Sequence, residues 1–237
     1  MSATPEMMHK PLIWVEGIIG AGKTKFAKEI GGRLGLRVLE EPVDSNPYLE
    51  LFYKMEPEKF AFAMQVWLLH ERAALQNLAA WECTGVGGYD GAVLDRSISG
   101  DRVFAKLQTR KGNITPLDWR TYERAYSIIA RTLLPPTLIV FLDAQPQVAF
   151  ERMKGRGRGA ESTVQVEYLE ELRAGYRELL GEATAGLLPW SHAVRIVTIP
   201  WDVDTATDSQ WGHTAETIKD ECGMFQSVID NAHGRHL

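Results

Sequence analysis

The chain has 237 residues, 45% of them hydrophobic and 24% charged, with a formal net charge of −5 and two cysteines. That length suits one α/β domain with a full core, and the acidic balance argues against non-specific nucleic-acid binding, which needs a basic face. Cys83 and Cys222 lack metal-type spacing and fit a reduced, cytosol-like compartment, and no apolar run is long enough for a signal peptide or a membrane span.

In chain order, residues 1–10 read as a flexible leader. "LIWVEG" then predicts a strand, with Glu16 interrupting the apolar run. The strand feeds "GIIGAGKT", in which Gly17, Ile18, Ile19, Gly20, Ala21, Gly22, Lys23 and Thr24 fit G-x-x-x-x-G-K-[ST]. Backbone N–H groups of such a loop wrap a polyphosphate, the lysine reaches the β- and γ-phosphates, and the hydroxyl can hold Mg²⁺. The following helix, "KTKFAKEIGGRLG", stops at Gly35. A second strand, "LRVLEEP", places Glu40 and Glu41 at its end. Glu41, held extended before Pro42, can accept the proton of an attacking hydroxyl, although both acids could equally be solvated surface groups.

A long helix is predicted from Glu58 to about Trp81. Gln65 and Arg72, seven residues apart, project from nearly one face and offer hydrogen bonds to a base edge, and Asp101 completes the set. Met64, Trp67 and Leu68 read as pocket lining or plain core. "GAVLDRS" is a third strand with Asp95 and Arg96 just beyond it. Asp95 can be a second Mg²⁺ ligand and Arg96 can neutralise phosphoryl charge, or the two can form a structural ion pair. A helix through about Leu107, another over "PLDWRTYERAYSIIARTLL", a fourth strand "TLIVFLDA" and a helix "QPQVAFERMK" follow. "GRGRGAES" is then a glycine-hinged loop. Its cations Arg156 and Arg158, with Arg152, suit a lid over phosphates better than an RGG-like nucleic-acid tail. A helix over "VEYLEELRAGYRELLGEA", a fifth strand "VRIVTIP" and a weaker helix after Trp211 complete the chain. The alternation predicts a P-loop kinase: five parallel strands flanked by helices, with a short Arg-rich lid at about 152–162, all in one domain over 1–237.

The combination of "GIIGAGKT", "EEP", "FAFAMQ" with Arg72, "DRSISGD" and "RMKGRGRGAE" resembles the deoxynucleoside kinase family from about Ile13 to Pro200, and "EPVDSNPYLELFY" looks most like its bacterial and phage deoxyadenosine/deoxyguanosine kinases. The resemblance implies ATP as donor, Mg²⁺, a deoxynucleoside acceptor and a homodimer built on the two long helices. It places the general base on Glu41, a contact to the reacting 5′ region on Arg96 and the acid near Mg²⁺ on Asp95. Tyr53 and Glu161 fall where the sugar 3′-OH is held, and Met64 and Gln65 where the base lies. Arg72 and Asp101 form the pair that tunes base choice. In relatives such a pair goes with cytosine or purines, and thymidine-accepting members lack it. Arg152, Arg156 and Arg158 match the lid, and Asp202 and Val203 lie in the adenine-contacting loop. Departures fall at Met64, where an aromatic is common, at Ser99-Gly100, where bacterial relatives usually carry Tyr and Glu and a looser pocket wall is implied, and at Gly155.

Two rivals are a nucleoside monophosphate kinase of the thymidylate kinase type and a non-catalytic structural relative. Thymidylate kinases carry an arginine at the place of Glu40, because a phosphate-bearing acceptor needs cations there. Two carboxylates suit a neutral hydroxyl instead. The non-catalytic reading sits badly with Lys23, Thr24, Glu41, Asp95 and Arg96 all being present. The reading is a cytoplasmic, ATP-dependent kinase for the 5′-hydroxyl of a purine deoxynucleoside or deoxycytidine, with thymidine disfavoured.

Overall fold

A computed structural model describes residues 10–40, 45–157, 161, 163–192, 194–202 and 206–223. Glu41, Arg158 and Val203 lie outside the described residues. The sheet is built from β1 (Leu12–Glu16), β2 (Arg37–Leu39), β3 (Ala92–Asp95), β4 (Leu138–Asp143) and β5 (Arg195–Pro200), all parallel, in the order β2-β3-β1-β4-β5. β1 is central and wholly buried, as is nearly all of β4, which explains why both read as continuous apolar runs. β2 and β5 are the edges and keep exposed positions, including Arg37.

Helices α1 (Lys23–Leu34), α2 (Leu49–Lys54), α3 (Pro57–Cys83), α4 (Ile98–Arg110), α5 (Pro116–Thr132), α6 (Pro146–Arg156), α7 (Val166–Thr184) and α8 (Asp208–Glu221) flank the sheet. Their ends follow from local chemistry. Gly35 closes α1 in the left-handed conformation at φ 67°, donating its N–H to Gly31 O. Thr115 caps α5, its hydroxyl accepting from Asp118 N–H at 3.1 Å, with Pro116 at the first helical position.

Three expectations need adjustment. The short α2 was not foreseen. The predicted glycine-hinged loop begins later, because α6 runs through Gly155 to Arg156 and stops at left-handed Gly157. The last helix starts at Asp208 rather than after Trp211, on a capping box formed by Thr207 and Gln210.

The core packs on both faces of the sheet. Trp14 of β1 meets Trp190 edge-to-face at 5.0 Å between ring centroids, and Trp190 Nε1–H donates to the buried Tyr126 hydroxyl. On the other side of the donor loop, Phe26, Trp201 and Trp211 form an aromatic cluster that ties α1, the segment after β5 and α8 together. The C-terminal ends of β1, β2 and β3 open onto a single cavity, the position at which parallel α/β sheets bind ligands.

Candidate active site

The loop between β1 and α1 delivers backbone amides to the start of a helix, where the helix dipole also favours an anion. Gly20 has φ 77°, and a Cβ there would lie 2.1 Å from Ala149 O, so only glycine lets the loop sit against α6. Lys23 is buried and its ammonium donates to Ile18 O at 3.0 Å, folded back onto its own loop. Ile19, Gly20, Gly22, Lys23 and Thr24 line the cavity, whose volume is about 380 Å³. Gly17, Ile18 and Ala21 shape the loop from behind.

Thr24 Oγ1–H donates to Asp95 Oδ2 at 2.5 Å, which brings the loop hydroxyl to the carboxylate at the end of β3. The other oxygen, Asp95 Oδ1, is buried without a hydrogen-bond partner. Two adjacent hard oxygen donors, one with spare capacity, fit Mg²⁺, which takes one or two protein ligands and completes its shell with water and substrate phosphates.

Arg96 follows β3 with φ 72°, its N–H continuing the ladder to Val15 O at 3.0 Å. Its guanidinium lies over the Phe104 ring, 4.6 Å from the centroid, and donates to the Tyr176 hydroxyl. Arg96 and Asp95 make no ion pair with each other among the described contacts; Asp95 faces Thr24 instead.

At the far end of the cavity, Met64, Leu68 and Phe104 form apolar walls around Gln65. Gln65 is 1% exposed, and neither its Oε1 nor its Nε2 has a hydrogen-bond partner. A buried primary amide with donor and acceptor both open is costly unless a ligand completes it. Asp101 also lines the cavity and meets Arg72 at 2.6 Å, with both side chains almost wholly buried. Arg72 itself lies outside the cavity lining, behind Asp101, with one N–H on Asp95 O at 3.3 Å. The pair therefore presents its acid, not its arginine, to the cavity.

Tyr53 and Glu161 line the same cavity, as does Arg156, which forms an ion pair with Glu161. Arg152 points elsewhere, donating to Trp201 O at 2.9 Å and Ala21 O at 3.5 Å, so it links the donor loop to the segment after β5. Asp202 is also away from the main cavity, its carboxylate accepting from Gln145 N–H at the start of α6 at 2.7 Å.

Two sequence-based expectations change. Ser99 and Gly100 do not form a pocket wall: neither lines the cavity, and Ser99 Oγ is engaged with the Tyr126 hydroxyl at 2.8 Å. Glu40 lines the cavity mouth but pairs with Lys28 at 2.8 Å, so much of its repulsion toward a phosphate is offset. The structure adds residues the sequence did not flag. Asn46 lines the cavity with its Nδ2 buried and unpartnered, while its Oδ1 accepts from Tyr48 N–H at 2.9 Å. Phe104, three residues after Asp101, could have been found from helical spacing. Glu16 and Tyr176 carried no signal beyond an acid in a strand and an aromatic in a helix.

A P-loop, an Mg²⁺-fitting Thr–Asp pair and, at the far end of the same cavity, an open amide fit a P-loop phosphotransferase with a second substrate. The chain belongs to the deoxynucleoside kinase family: the family model described as "Deoxynucleoside kinase" matches residues 13–220. It is 35% identical to the deoxyadenosine kinase of Dictyostelium discoideum over 80% of this chain and 71% of that one. The structure of deoxyadenosine kinase from M. mycoides with bound dCTP superposes with a TM-score of 0.72 at 26% identity, covering 88% of this chain and 99% of the other. A relative of another kind is the bovine mitochondrial NADH dehydrogenase 1 alpha subcomplex subunit 10, 32% identical over 74% of this chain and 57% of its own length. The enzyme is a deoxynucleoside kinase, which sets aside the thymidylate kinase alternative.

Proposed function

We propose that the protein transfers the γ-phosphoryl group of ATP to the 5′-hydroxyl of a purine deoxynucleoside or deoxycytidine, with thymidine disfavoured. The observation that carries this reading is Gln65, whose buried amide has a donor and an acceptor open at the cavity, beside the Asp101 carboxylate. Such a pair of groups matches the adjacent donor and acceptor on the edge of a purine or cytosine. Asn46 adds a further donor toward the acceptor.

In the transfer, Lys23 exchanges Ile18 O for the β- and γ-phosphates, and the loop amides hold them. Thr24 Oγ1 and Asp95 would hold Mg²⁺, which would supply positive charge against the phosphoryl oxygens. Glu41, two residues past the end of β2, takes the proton of the 5′-hydroxyl. Arg96 stabilises charge on the moving group, with Arg156 and Arg158 closing from the lid. Tyr53 and Glu161 hold the sugar 3′-OH, for which Glu161 leaves Arg156. Arg72 acts on base choice through Asp101, while Arg152, Asp202 and Val203 shape the donor's adenine end.

We further infer a single kinase domain over 1–237 and a homodimer through α3 and α5, supported by exposed Val66, Leu78 and Trp81 on α3 and Ile128 on α5. We also assign the protein to deoxynucleoside salvage in the cytoplasm. Among the described residues no helix is long and apolar enough to cross a membrane. Lys23, Thr24, Asp95 and Arg96, assembled around one cavity, argue against the non-catalytic reading.

The test is phosphorylation of the four deoxynucleosides and their monophosphates with labelled ATP and Mg²⁺. The expected result is monophosphate formation from deoxyadenosine, deoxyguanosine or deoxycytidine ahead of thymidine. Turnover of monophosphates alone would sink the acceptor assignment, and no turnover of any would favour a structural role.

A further inference from the structure

Arg96 is the only non-glycine with positive φ among the described residues, and a long side chain holds that conformation only where its surroundings fix it. The surroundings are unusual. Ser97 is the N-cap of α4, its Oγ accepting from Ser99 N–H at 3.1 Å and Gly100 N–H at 3.4 Å. In a capping box, the N-cap's own N–H is then satisfied by an acid or amide three residues on, in the same helix. Here that residue is Gly100, which has nothing to offer.

The missing carboxylate comes from a different element. Glu16, the last residue of β1 and 1% exposed, accepts from Ser97 N–H at 2.9 Å and from the Ser97 hydroxyl at 2.5 Å through Oε1. Gly100 makes the room. A Cβ on it would lie 2.5 Å from Glu16 Oε2, 2.8 Å from Arg96 Cγ and 3.0 Å from the Tyr176 hydroxyl. Those three groups meet at one point. Tyr176 is fully buried, accepts an N–H from Arg96, and interacts with the Glu16 carboxylate. Burial, reinforced by the Glu16 charge, holds its phenol well above the ordinary value, and the nearby Glu16 Oε2 is buried without a hydrogen-bond partner. α7 can bring Tyr176 this close because its neighbour Gly175 packs on Val103 of α4, where a Cβ would approach to 2.8 Å.

We propose that Glu16 is a positioning residue for phosphoryl transfer, fixing through Ser97 and Tyr176 the left-handed turn that carries Arg96 into the cavity. A buried acid is costly to keep, and a capping glutamate at position 100 is excluded by the crowding its Cβ would meet. What the position on β1 adds is a direct tie between the strand that feeds the donor loop and the arginine on the acceptor side. The proposal rests on the role given to Arg96 under the proposed function.

The experiment compares wild type, Glu16→Gln and Tyr176→Phe by steady-state kinetics and by amide hydrogen exchange over residues 96–100. Glu16→Gln should lower kcat about 10- to 100-fold with KM for ATP within about threefold, because a small misplacement of a reacting group costs rate rather than donor binding. Tyr176→Phe should act in the same direction, and exchange at 96–100 should quicken in both. Full kcat in folded Glu16→Gln and Tyr176→Phe overturns the proposal. A wild type inactive on every deoxynucleoside would remove the acceptor reading instead. Exchange would still decide on Glu16, with unchanged rates in Glu16→Gln refuting its role and faster rates supporting it.

Discussion

Replacing one member of the Arg72–Asp101 pair should damage the fold, whereas replacing both should damage mainly base choice. The two side chains are 1% and 2% exposed and meet at 2.6 Å. Removing one partner strands a charge away from water, which costs about 3–5 kcal/mol for buried pairs. For a chain of this size, about 2–4 °C of melting temperature accompanies each kcal/mol, so Asp101→Leu should melt about 6–20 °C below wild type. Arg72→Met/Asp101→Leu leaves no buried charge and fills similar volume, so its loss should be within about 1–2 kcal/mol. The assay is thermal or urea unfolding of all four proteins, read as a double-mutant cycle with a coupling of at least about 2 kcal/mol. Kinetics on the same set should show the double variant losing discrimination among bases while ATP affinity stays within about threefold. Additive losses, with coupling near zero, would refute the claim that the pair is a single buried unit. A double variant that loses ATP binding more than base choice would move the pair out of the acceptor side.

Gln65→Leu should raise the deoxynucleoside KM about 10-fold or more with little change in ATP affinity, since the donor and acceptor of the bound base would then be buried without partners; an unchanged KM would remove Gln65 from the base. Gly20→Ala should abolish nucleotide binding by titration or force α6 away from the loop, because its Cβ would fall 2.1 Å from Ala149 O at a φ of 77°; unaltered ATP binding would contradict the close packing. Asp143 accepts from Arg173 at 2.6 Å, and that bond, with Arg177 beside it, holds its carboxyl below the ordinary aspartate value of 3.8. A depressed folded pKa stabilises above the unfolded value and is lost as pH falls through the folded one. The stability gap between wild type and Asp143→Asn should therefore be full at neutral pH and close below about pH 3.8 in urea titrations; a gap independent of pH would refute it.

How much of this could be read from the residues depends on what each feature needs. β4 announces itself because a strand covered on both faces must be apolar throughout, and α1 because Gly35 is the residue a left-handed stop requires. α2 is too short to show a period, and the start of α8 was hidden in a capping box that reads as ordinary polar loop. The donor half of the site was legible because phosphate binding uses backbone, and backbone geometry demands particular residues at fixed spacing. The acceptor half was only partly legible: helical spacing pointed to Gln65 with Arg72, whereas Tyr53 and Glu161, on separate elements, came only through the family likeness. Glu16 shows the limit most clearly. In sequence it only breaks an apolar run, and its partners Ser97 and Tyr176 lie 81 and 160 positions away, so nothing local connects them.

The donor loop leaves β1 and the Asp95–Arg96 turn leaves β3, and these strands are hydrogen-bonded neighbours in register from Leu12↔Ala92 to Val15↔Asp95. Adjacent strands stand about 4.8 Å apart whatever their side chains are. The separation of the two halves of the reaction is thus a lattice constant of the sheet rather than a property of any loop. The proposed base pocket, by contrast, is lined by Met64, Gln65 and Leu68 of α3 and Asp101 and Phe104 of α4. Reshaping that pocket for a different base can proceed on helices, with the gauge of the phosphoryl transfer left untouched.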